Sequence, residues 1–201
     1  MLLEANNITF RYTEKLPLIL KDVSIKVTEG DRIGIVGPSG YGKSTLAKIL
    51  AGYEKPTSGT VTLDGAPLPM KTFCPVQMIY QHPELAVNPR WKMAKTLNEC
   101  WHPDEEFLAK MGIEKEWLKR WPSELSGGEL QRFCIARALA PETKFLICDE
   151  ISTMLDVITQ AQVWNILLDT AKERNMGMVI ITHNLALAKR VCTKIVKAQE
   201  L

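Results

Sequence analysis

A run of nine residues, 37–45, carries the strongest chemical signal in the sequence. It fits the phosphate-binding pattern GxxxxGK[ST] and lies between an apolar run at 32–36 and a helix-like run at 46–50. Glycines let such a loop turn backbone N–H groups toward a phosphate, and the helix that follows adds its positive N-terminus. The pattern predicts a nucleoside triphosphate site in which Lys43 reaches the terminal phosphates and Ser44 binds Mg²⁺, whereas the alternative is an ordinary glycine-rich turn. The nine residues are Gly37, Pro38, Ser39, Gly40, Tyr41, Gly42, Lys43, Ser44 and Thr45.

Two kinds of strand are predicted around this phosphate loop. Runs in which apolar and polar residues alternate are typical of half-buried strands in an antiparallel sheet. They occupy residues 8–12, 23–27 and 60–65. Continuous apolar runs are typical of strands buried in a parallel sheet. They occupy residues 76–80, 145–148 and 178–182.

Polar side chains follow each predicted core strand. Gln81 follows the first, the pair Asp149 and Glu150 follows the second, and His183 follows the third. The carboxyl end of a strand, where His183 stands, is the edge at which open α/β sheets bind their ligands. His183 therefore stands where such a sheet would bind a ligand, whereas Gln81 and the Asp-Glu pair carry no assignment from position alone.

Helical patterns connect the predicted strands. Several prolines, four of the five tryptophans and helical spacing at 107–111 and 117–121 predict an inserted helical lobe between His82 and about Leu125. A glycine pair then opens a helical pattern that ends before Pro141. Asp156 predicts the cap of a further helix that runs to about residue 174.

The overall composition is that of a soluble globular protein. The 201 residues are 46% hydrophobic and carry a formal charge of +2 without a dense basic block, which argues against nucleic-acid binding. No stretch is long and apolar enough for a membrane span and the first residues lack the features of a signal peptide, so we expect a cytosolic protein. The five cysteines include no CxxC pair, which indicates free thiols.

The motifs follow one another in a single order: the phosphate loop, Leu-Ser-Gly-Gly-Glu at 125–129, the apolar strand that ends in Asp149 and Glu150, and Ile-Thr-His at 181–183. This order resembles the nucleotide-binding domain of ATP-binding-cassette (ABC) transporters over nearly the whole chain. The resemblance implies an α/β fold with a P-loop NTPase (RecA-like) core and a mainly parallel sheet. It also implies an N-terminal antiparallel β-subdomain and an inserted α-helical subdomain.

The resemblance implies one ABC ATPase domain over residues 1–201. We expect its antiparallel β-subdomain, its nucleotide-binding core and its helical subdomain to alternate along the chain. The β-subdomain is expected at about 1–30 and 57–68. The nucleotide-binding core is expected at about 31–56, 69–81 and 141–201, and the helical subdomain with its signature loop at about 82–140.

The resemblance also assigns roles to individual residues. Tyr12 is similar to the aromatic residue that stacks on adenine, although a tyrosine packed in the core is the alternative. Gln81 is similar to the glutamine that contacts Mg²⁺ and the attacking water, and Asp149 to the carboxylate that holds Mg²⁺, which prefers oxygen ligands. Glu150 is similar to the general base and His183 to the histidine that contacts the γ-phosphate. Outside this order, Asp-Glu would be a loop start and the histidine a structural residue.

A second phosphate-binding element is implied by residues 126–129, the signature loop of the family. Its members are Ser126, Gly127, Gly128 and Glu129. In the family this loop binds the γ-phosphate of ATP held on the opposite subunit, and a following helix offers its N-terminus. The resemblance therefore implies a head-to-tail dimer, with itself or with a second ABC ATPase subunit, that sandwiches two ATP molecules. Residues 153–156 resemble the loop that crosses this interface, although Met154 replaces a usually smaller residue.

Two further strings resemble the ATPases of peptide and nickel importers. They are residues 81–90, which include Asn-Pro-Arg, and residues 149–157 followed by Gln160. The resemblance implies transmembrane permease subunits that dock near residues 81–91, an extracytoplasmic substrate-binding protein, and a location on the inner face of the membrane. The four tryptophans of the lobe either mark such a docking surface or pack its core. Alternative functions are a soluble ABC ATPase that acts on nucleic acid or ribosomes, and a regulator that does not turn over ATP.

Overall fold

The computed structural model describes residues 1–153 and 155–201, and its strands form two sheets. The strands are β1 (Leu2–Phe10), β2 (Leu20–Thr28), β3 (Arg32–Val36), β4 (Ser58–Leu63), β5 (Ala66–Pro67), β6 (Val76–Ile79), β7 (Phe145–Asp149), β8 (Gly177–Thr182) and β9 (Lys194–Lys197). The helices are α1 (Lys43–Leu50), α2 (Met93–Leu97), α3 (Glu105–Lys110), α4 (Gly127–Ala138), α5 (Val157–Glu173) and α6 (Leu185–Val191). Short 3₁₀ turns occupy Pro83–Leu85, Lys115–Lys119, Pro122–Glu124 and Ala198–Glu200.

The larger sheet is parallel, with the strand order β6-β7-β8-β3-β9. Every residue of β7 and β8 is buried, because helices or the second sheet cover both faces. This burial explains why these strands read as continuous apolar runs. The strand order brings the carboxyl ends of β3, β7 and β8 side by side, where the phosphate loop, Glu150 and His183 follow them. The predicted α/β fold with a mainly parallel sheet is confirmed.

The smaller sheet is antiparallel, with the order β2-β1-β4-β5. Its strand β1 begins at Leu2, six residues before the predicted start. The pairing register shifts between Ala5 and Ile8, and Asn7 adopts a left-handed φ of 52°. This bulge moves the buried side from odd to even positions, so the alternation of apolar residues is broken in the middle of the strand. Tyr12 lies beyond the end of β1 rather than inside it.

The helical lobe is built from short elements around its own apolar cluster. Met93, Leu97, Met111 and Phe133 have no more than 1% of their surface exposed. The predicted helix at 107–111 lies largely in α3, whereas the spacing at 117–121 corresponds to a 3₁₀ turn.

The tryptophans of the lobe contribute mainly to its packing. Trp91, Trp101 and Trp117 are half-buried, and Trp121 is exposed. The Trp101 indole donates to the carbonyl of Ala136, 3.1 Å away, at the end of α4.

Two helices outside the lobe were predicted from the sequence. α1 starts at Lys43, inside the phosphate-loop motif and three residues before the predicted helical run, and α6 was not predicted. In α5, the Asp156 carboxylate caps the helix by accepting from the backbone N–H groups of Ile158 and Thr159, each 3.0 Å away. Within the residues described, no helix combines the length and apolar character that a membrane span requires.

Candidate active site

The phosphate loop lies between β3 and α1, at the carboxyl edge of the parallel sheet. Gly40 and Gly42 have φ values of 90° and 73°, which side chains with a Cβ rarely adopt. Lys43 is only 6% exposed and its Nζ donates to the carbonyl of Pro38, 2.7 Å away. The lysine is therefore folded over its own loop, with its charge next to the backbone that would surround a phosphate.

Ser44 and Asp149 meet across this edge. The Ser44 hydroxyl donates to Asp149 Oδ1 at 3.1 Å, which joins the start of α1 to the end of β7. Burial raises the pKa of the Asp149 carboxyl above its ordinary value. The hydrogen bond from Ser44 opposes that shift, the neighbouring charge of Glu150 adds to it, and the Lys43 ammonium opposes it. Ser44 Oγ and Asp149 Oδ1 are thus two neighbouring oxygens of the kind that bind hard cations, and the Lys43 ammonium is close enough to act on the Asp149 carboxylate.

Glu150 is the centre of a second cluster. Gln81 Nε2 donates to Glu150 Oε2 at 3.3 Å, and His183 Nδ1 lies 3.2 Å from the same oxygen. Gln81, which follows β6, and His183, which follows β8, thus converge on one oxygen of Glu150, which follows β7. A cavity of about 330 Å³ connects this cluster with residues 39–45. Its wall also includes Ile19, which the sequence interpretation did not identify.

The backbone of Glu150 is held in an unusual conformation. Its φ is 47°, in the left-handed region that is uncommon for residues with a Cβ. Its N–H donates to the carbonyl of Ile181 in the adjacent strand at 3.0 Å, which fixes the conformation. Strain of this kind is concentrated at functional sites, where it aims a side chain.

Tyr12 lies next to the loop and is half exposed, at 50% of its surface. Its hydroxyl is 3.4 Å from Thr45 Oγ1, and its ring packs edge-on against Phe10 at a centroid distance of 5.0 Å. Half of the residue's surface thus remains accessible, as stacking on a planar ligand requires. This exposure does not fit the alternative of a tyrosine packed in the core.

The signature loop lies apart from this cluster, at the start of α4. Ser126 and Gly127 are exposed, and a Cβ at Gly127 would have no atom within 4 Å. Ser126 and Glu129 form a reciprocal cap in which the Glu129 carboxylate accepts from the Ser126 N–H at 2.6 Å. Among the residues described, no hydrogen bond joins this loop to the phosphate loop. Met154, expected at a subunit interface, lies outside the described residues.

A buried glutamine was also missed by the sequence interpretation. Gln131 on α4 is fully buried and its Nε2 donates to the carbonyl of Tyr80, 3.2 Å away, directly before Gln81. A polar residue among Leu130, Phe133 and Cys134 is a signal that could have identified it, because an amide in an apolar environment requires partners.

The fold and the site define a P-loop protein with the elements for nucleotide hydrolysis. The family model described as ABC transporter matches residues 20–153, and the chain belongs to the family of ABC transporter ATP-binding proteins. The nickel import system ATP-binding protein NikE of Staphylococcus aureus (strain bovine RF122 / ET3-1) is 35% identical over 97% of this chain and 85% of its own length. NikE of Rhodospirillum rubrum is 34% identical over 90% of this chain and 73% of its own length.

Solved structures show the same architecture. The ATP-binding cassette MJ0796, a dimer in a post-hydrolysis state bound to ADP and Pi, is 25% identical with a TM-score of 0.81 over 97% of this chain and 93% of that one. An ATP-binding subunit of an ABC transporter is 24% identical with a TM-score of 0.85, covering 98% and 85% of the two chains. The chain is thus an ATP-binding subunit with the ATPase activity of this family.

Proposed function

We propose that this chain hydrolyses ATP to power an importer whose cargo is nickel, or a related metal complex or peptide. The observation that carries the enzymatic part is the convergence of Gln81 and His183 on Glu150 Oε2, at 3.3 and 3.2 Å, beside the phosphate loop. The cargo is inferred from the names of the NikE relatives and from the strings at 81–90 and 149–157.

ATP binding uses groups that the fold already holds in place. Backbone N–H groups of residues 39–45 and the N-terminus of α1 surround the β- and γ-phosphates. Lys43 exchanges the Pro38 carbonyl, which it contacts at 2.7 Å, for phosphate oxygens. Tyr12 offers its open face to adenine, and Ile19 lines the wall between base and phosphates.

The site fits Mg²⁺ because its donors are oxygens of the kind that this ion prefers. Ser44 Oγ and Asp149 Oδ1 are 3.1 Å apart and share one edge with the Gln81 amide. Bound there, Mg²⁺ would offset phosphate charge, with its other ligands supplied by phosphate and water. No group of three or more His, Cys, Asp or Glu side chains suited to a metal occurs in the part of the chain that is described, which fits a site completed by the nucleotide.

Hydrolysis then depends on how Glu150 is held. Its carboxylate accepts the proton of the attacking water, while Gln81 and His183 fix the direction in which it points. The backbone bond to Ile181 prevents the strained residue from turning away. Water and γ-phosphate are thereby brought together in one geometry, and positioning of this kind contributes most of the acceleration in phosphoryl transfer.

The site is completed by a second subunit. The signature loop, Ser126–Gly128, presents the N-terminus of the 12-residue helix α4, and its side-chain hydrogen bonds among the residues described are those of its own helix cap. We assign it to the γ-phosphate on the opposite subunit, which is either a second copy or a related ATPase. Glu129 contributes by holding the Ser126 backbone through the cap described above.

Transport requires permease subunits, and the helical lobe at about 82–140 is the part that would receive them. A groove of about 470 Å³ between the lobe and the core is lined by Tyr53, Asn88, Trp91 and Arg137, among others. It adjoins residues 81–91, so a permease segment docked there touches the stretch that starts at Gln81. The chain would then lie on the cytoplasmic face of the membrane, with an extracytoplasmic substrate-binding protein as an indirect partner. A role in nucleic-acid or ribosome function is not favoured, because the relatives are import ATPases and the net charge is only +2.

The test combines purification with uptake. The full chain with an affinity tag, purified from detergent-solubilised membranes of its own host, should retain permease subunits and hydrolyse ATP. A strain that lacks the chain should lose uptake of radioactive nickel, and the wild type should restore uptake whereas Lys43→Ala should not. Lys15→Ala, which removes a lysine at an exposed position, is the matched control. Copurification of ribosomes or nucleic acid without permease subunits would refute the transport assignment, and normal uptake of both nickel and peptides without the chain would refute the cargo.

A further inference from the structure

Three side chains of α4 bond to backbone carbonyls of the chain that leaves β6. Gln131 Nε2 donates to Tyr80 O at 3.2 Å, Cys134 Sγ to Pro83 O at 3.7 Å, and an Arg137 guanidinium nitrogen to Ala86 O at 2.7 Å. The donors are three residues apart on one side of the helix, and the acceptors are also three residues apart. We call this arrangement the carbonyl ladder.

The ladder joins two elements with different roles in the proposed function. Its helix begins at the signature loop, Ser126–Glu129. The accepting carbonyls of the ladder lie on both sides of Gln81, which contacts Glu150. The last of them, at Ala86, lies next to the groove that would receive the permease. A displacement of one element must therefore displace the other or break the bonds between them.

Packing alone does not account for the polar ladder residues. Gln131 is 0% exposed, and its Oε1 has no hydrogen-bond partner among the described residues. A methionine would fill similar space without leaving a buried acceptor unpaired, which destabilises a fold. The amide is explained by the bond that its nitrogen makes to Tyr80.

The third bond is also held in place. Arg137 contacts Glu99 Oε2 at 3.0 Å with its other terminal nitrogen, so the guanidinium is held between Glu99, just after α2, and Ala86. A donor with charge makes a stronger bond to a carbonyl than a neutral donor does. The strongest bond of the ladder is therefore the one from Arg137 at 2.7 Å, followed by the neutral amide bond from Gln131 at 3.2 Å and the weaker thiol contact of Cys134 at 3.7 Å.

We infer that Gln131, Cys134 and Arg137 are positioning residues that make the signature loop and the Gln81 segment move as one body. This inference rests on the proposed function, in which ATP on the opposite subunit engages Ser126–Gly128. When that engagement shifts α4, the ladder carries the carbonyl of Tyr80 with it and adjusts Gln81 against Glu150. Coupling between two sites is reciprocal, so a permease docked at 81–91 changes the engagement of the signature loop equally.

Hydrogen exchange tests the coupling in the full chain. The Glu150→Gln background keeps ATP bound, and peptides that cover 81–91 are followed with and without ATP and Mg²⁺. With the ladder intact, ATP should slow exchange there about tenfold, which corresponds to the contribution of about one hydrogen bond. In Gln131→Met and in Arg137→Met the change should fall below about twofold, and in the double variant it should disappear.

Two controls separate coupling from folding. Thr96→Val removes a buried hydroxyl of the same lobe that has no partner among the described residues, and Glu99→Gln removes the charge opposite Arg137 while its amide oxygen can still accept from the guanidinium. Both should keep the tenfold response. In chains with Glu150 intact, Gln131→Met should lower the kcat measured per folded, ATP-binding molecule and leave the KM for ATP unchanged, so that a smaller folded fraction does not account for the loss.

The outcomes distinguish this inference from the function on which it rests. Absence of an ATP-dependent dimer, measured by light scattering, would refute the sandwich itself. A dimer that forms normally, with the same protection of 81–91 in the ladder variants as in the parent, would overturn only the ladder. Loss of the response in Thr96→Val would also overturn it, because the response would then reflect the stability of the lobe.

Discussion

Replacement of Glu150 by glutamine should abolish turnover while leaving the site assembled. Glutamine has the same length, and its Oε1 can accept from both Gln81 and His183 as the carboxylate does now at 3.3 and 3.2 Å. The backbone bond to Ile181 does not depend on the side chain. The loss is therefore confined to proton acceptance, which is worth about 10²- to 10⁴-fold in rate. This range corresponds to about 2.7–5.4 kcal/mol in the activation free energy.

The assay measures single-turnover release of phosphate at saturating ATP and Mg²⁺, together with the mass of the particle in solution. Glu150→Gln should bind ATP as tightly as the wild type and accumulate as an ATP-bound dimer, because in the proposed sandwich the dimer reopens only after hydrolysis. Glu142→Gln, a change at an exposed position, is the control and should behave as the wild type. A rate for Glu150→Gln within about tenfold of the wild type would refute Glu150 as the base, and a strictly monomeric particle would refute the sandwich.

Three further predictions concern the proposed Mg²⁺ ligands and the parallel sheet that carries them. Ser44→Ala should raise the Mg²⁺ concentration for half-maximal ATPase about tenfold, as expected for one lost ligand, and an unchanged requirement would contradict the assignment. Burial raises the pKa of Asp149, so its charged form destabilises the empty fold above that raised pKa. Asp149→Asn should therefore increase the free energy of unfolding at pH 7 without nucleotide, and the gain should vanish as the pH falls below the ordinary carboxyl range. Urea titrations at several pH values measure this, and a gain that grows toward acid would contradict it. Gly177→Ala should lower the free energy of unfolding by about 1–3 kcal/mol. The added Cβ would lie 2.6 Å from the Phe145 ring and 2.8 Å from the Thr28 carbonyl oxygen. A loss near zero would contradict the close packing of β8 at this residue.

The fold could be predicted from the sequence where one physical signal dominates. The apolar runs of β7 and β8 are buried on both faces, and few environments other than the centre of a parallel sheet tolerate such runs. Asp156 was predicted correctly as a helix cap because the side chain itself makes the bond. The contact of Gln81 and His183 with Glu150 agrees with the expected site, whereas the role of each residue in hydrolysis stays a prediction.

Other features depend on contacts that no local pattern reveals. The strand β1 escaped detection up to Asn7 because its bulge breaks the alternation on which the prediction relies. The 3₁₀ turn at Lys115–Lys119 has helical spacing but lacks the length that an α-helix needs to stabilise itself. The bond from Gln131 to Tyr80 is invisible in sequence since its acceptor is a backbone carbonyl, which every residue possesses.

The carbonyl ladder has a consequence for how related chains diverge. Its acceptors are main-chain atoms, so the side chains between them are free to change, and Leu85 indeed points outward with 76% of its surface exposed. The number of residues between Tyr80 and Ala86 is constrained, because one insertion or deletion would move the carbonyl of Ala86, and in the first half of the segment also that of Pro83, away from its donor. In the proposed ladder, a related chain that serves a different permease can therefore carry other side chains between Tyr80 and Ala86. The number of residues in this segment would stay the same.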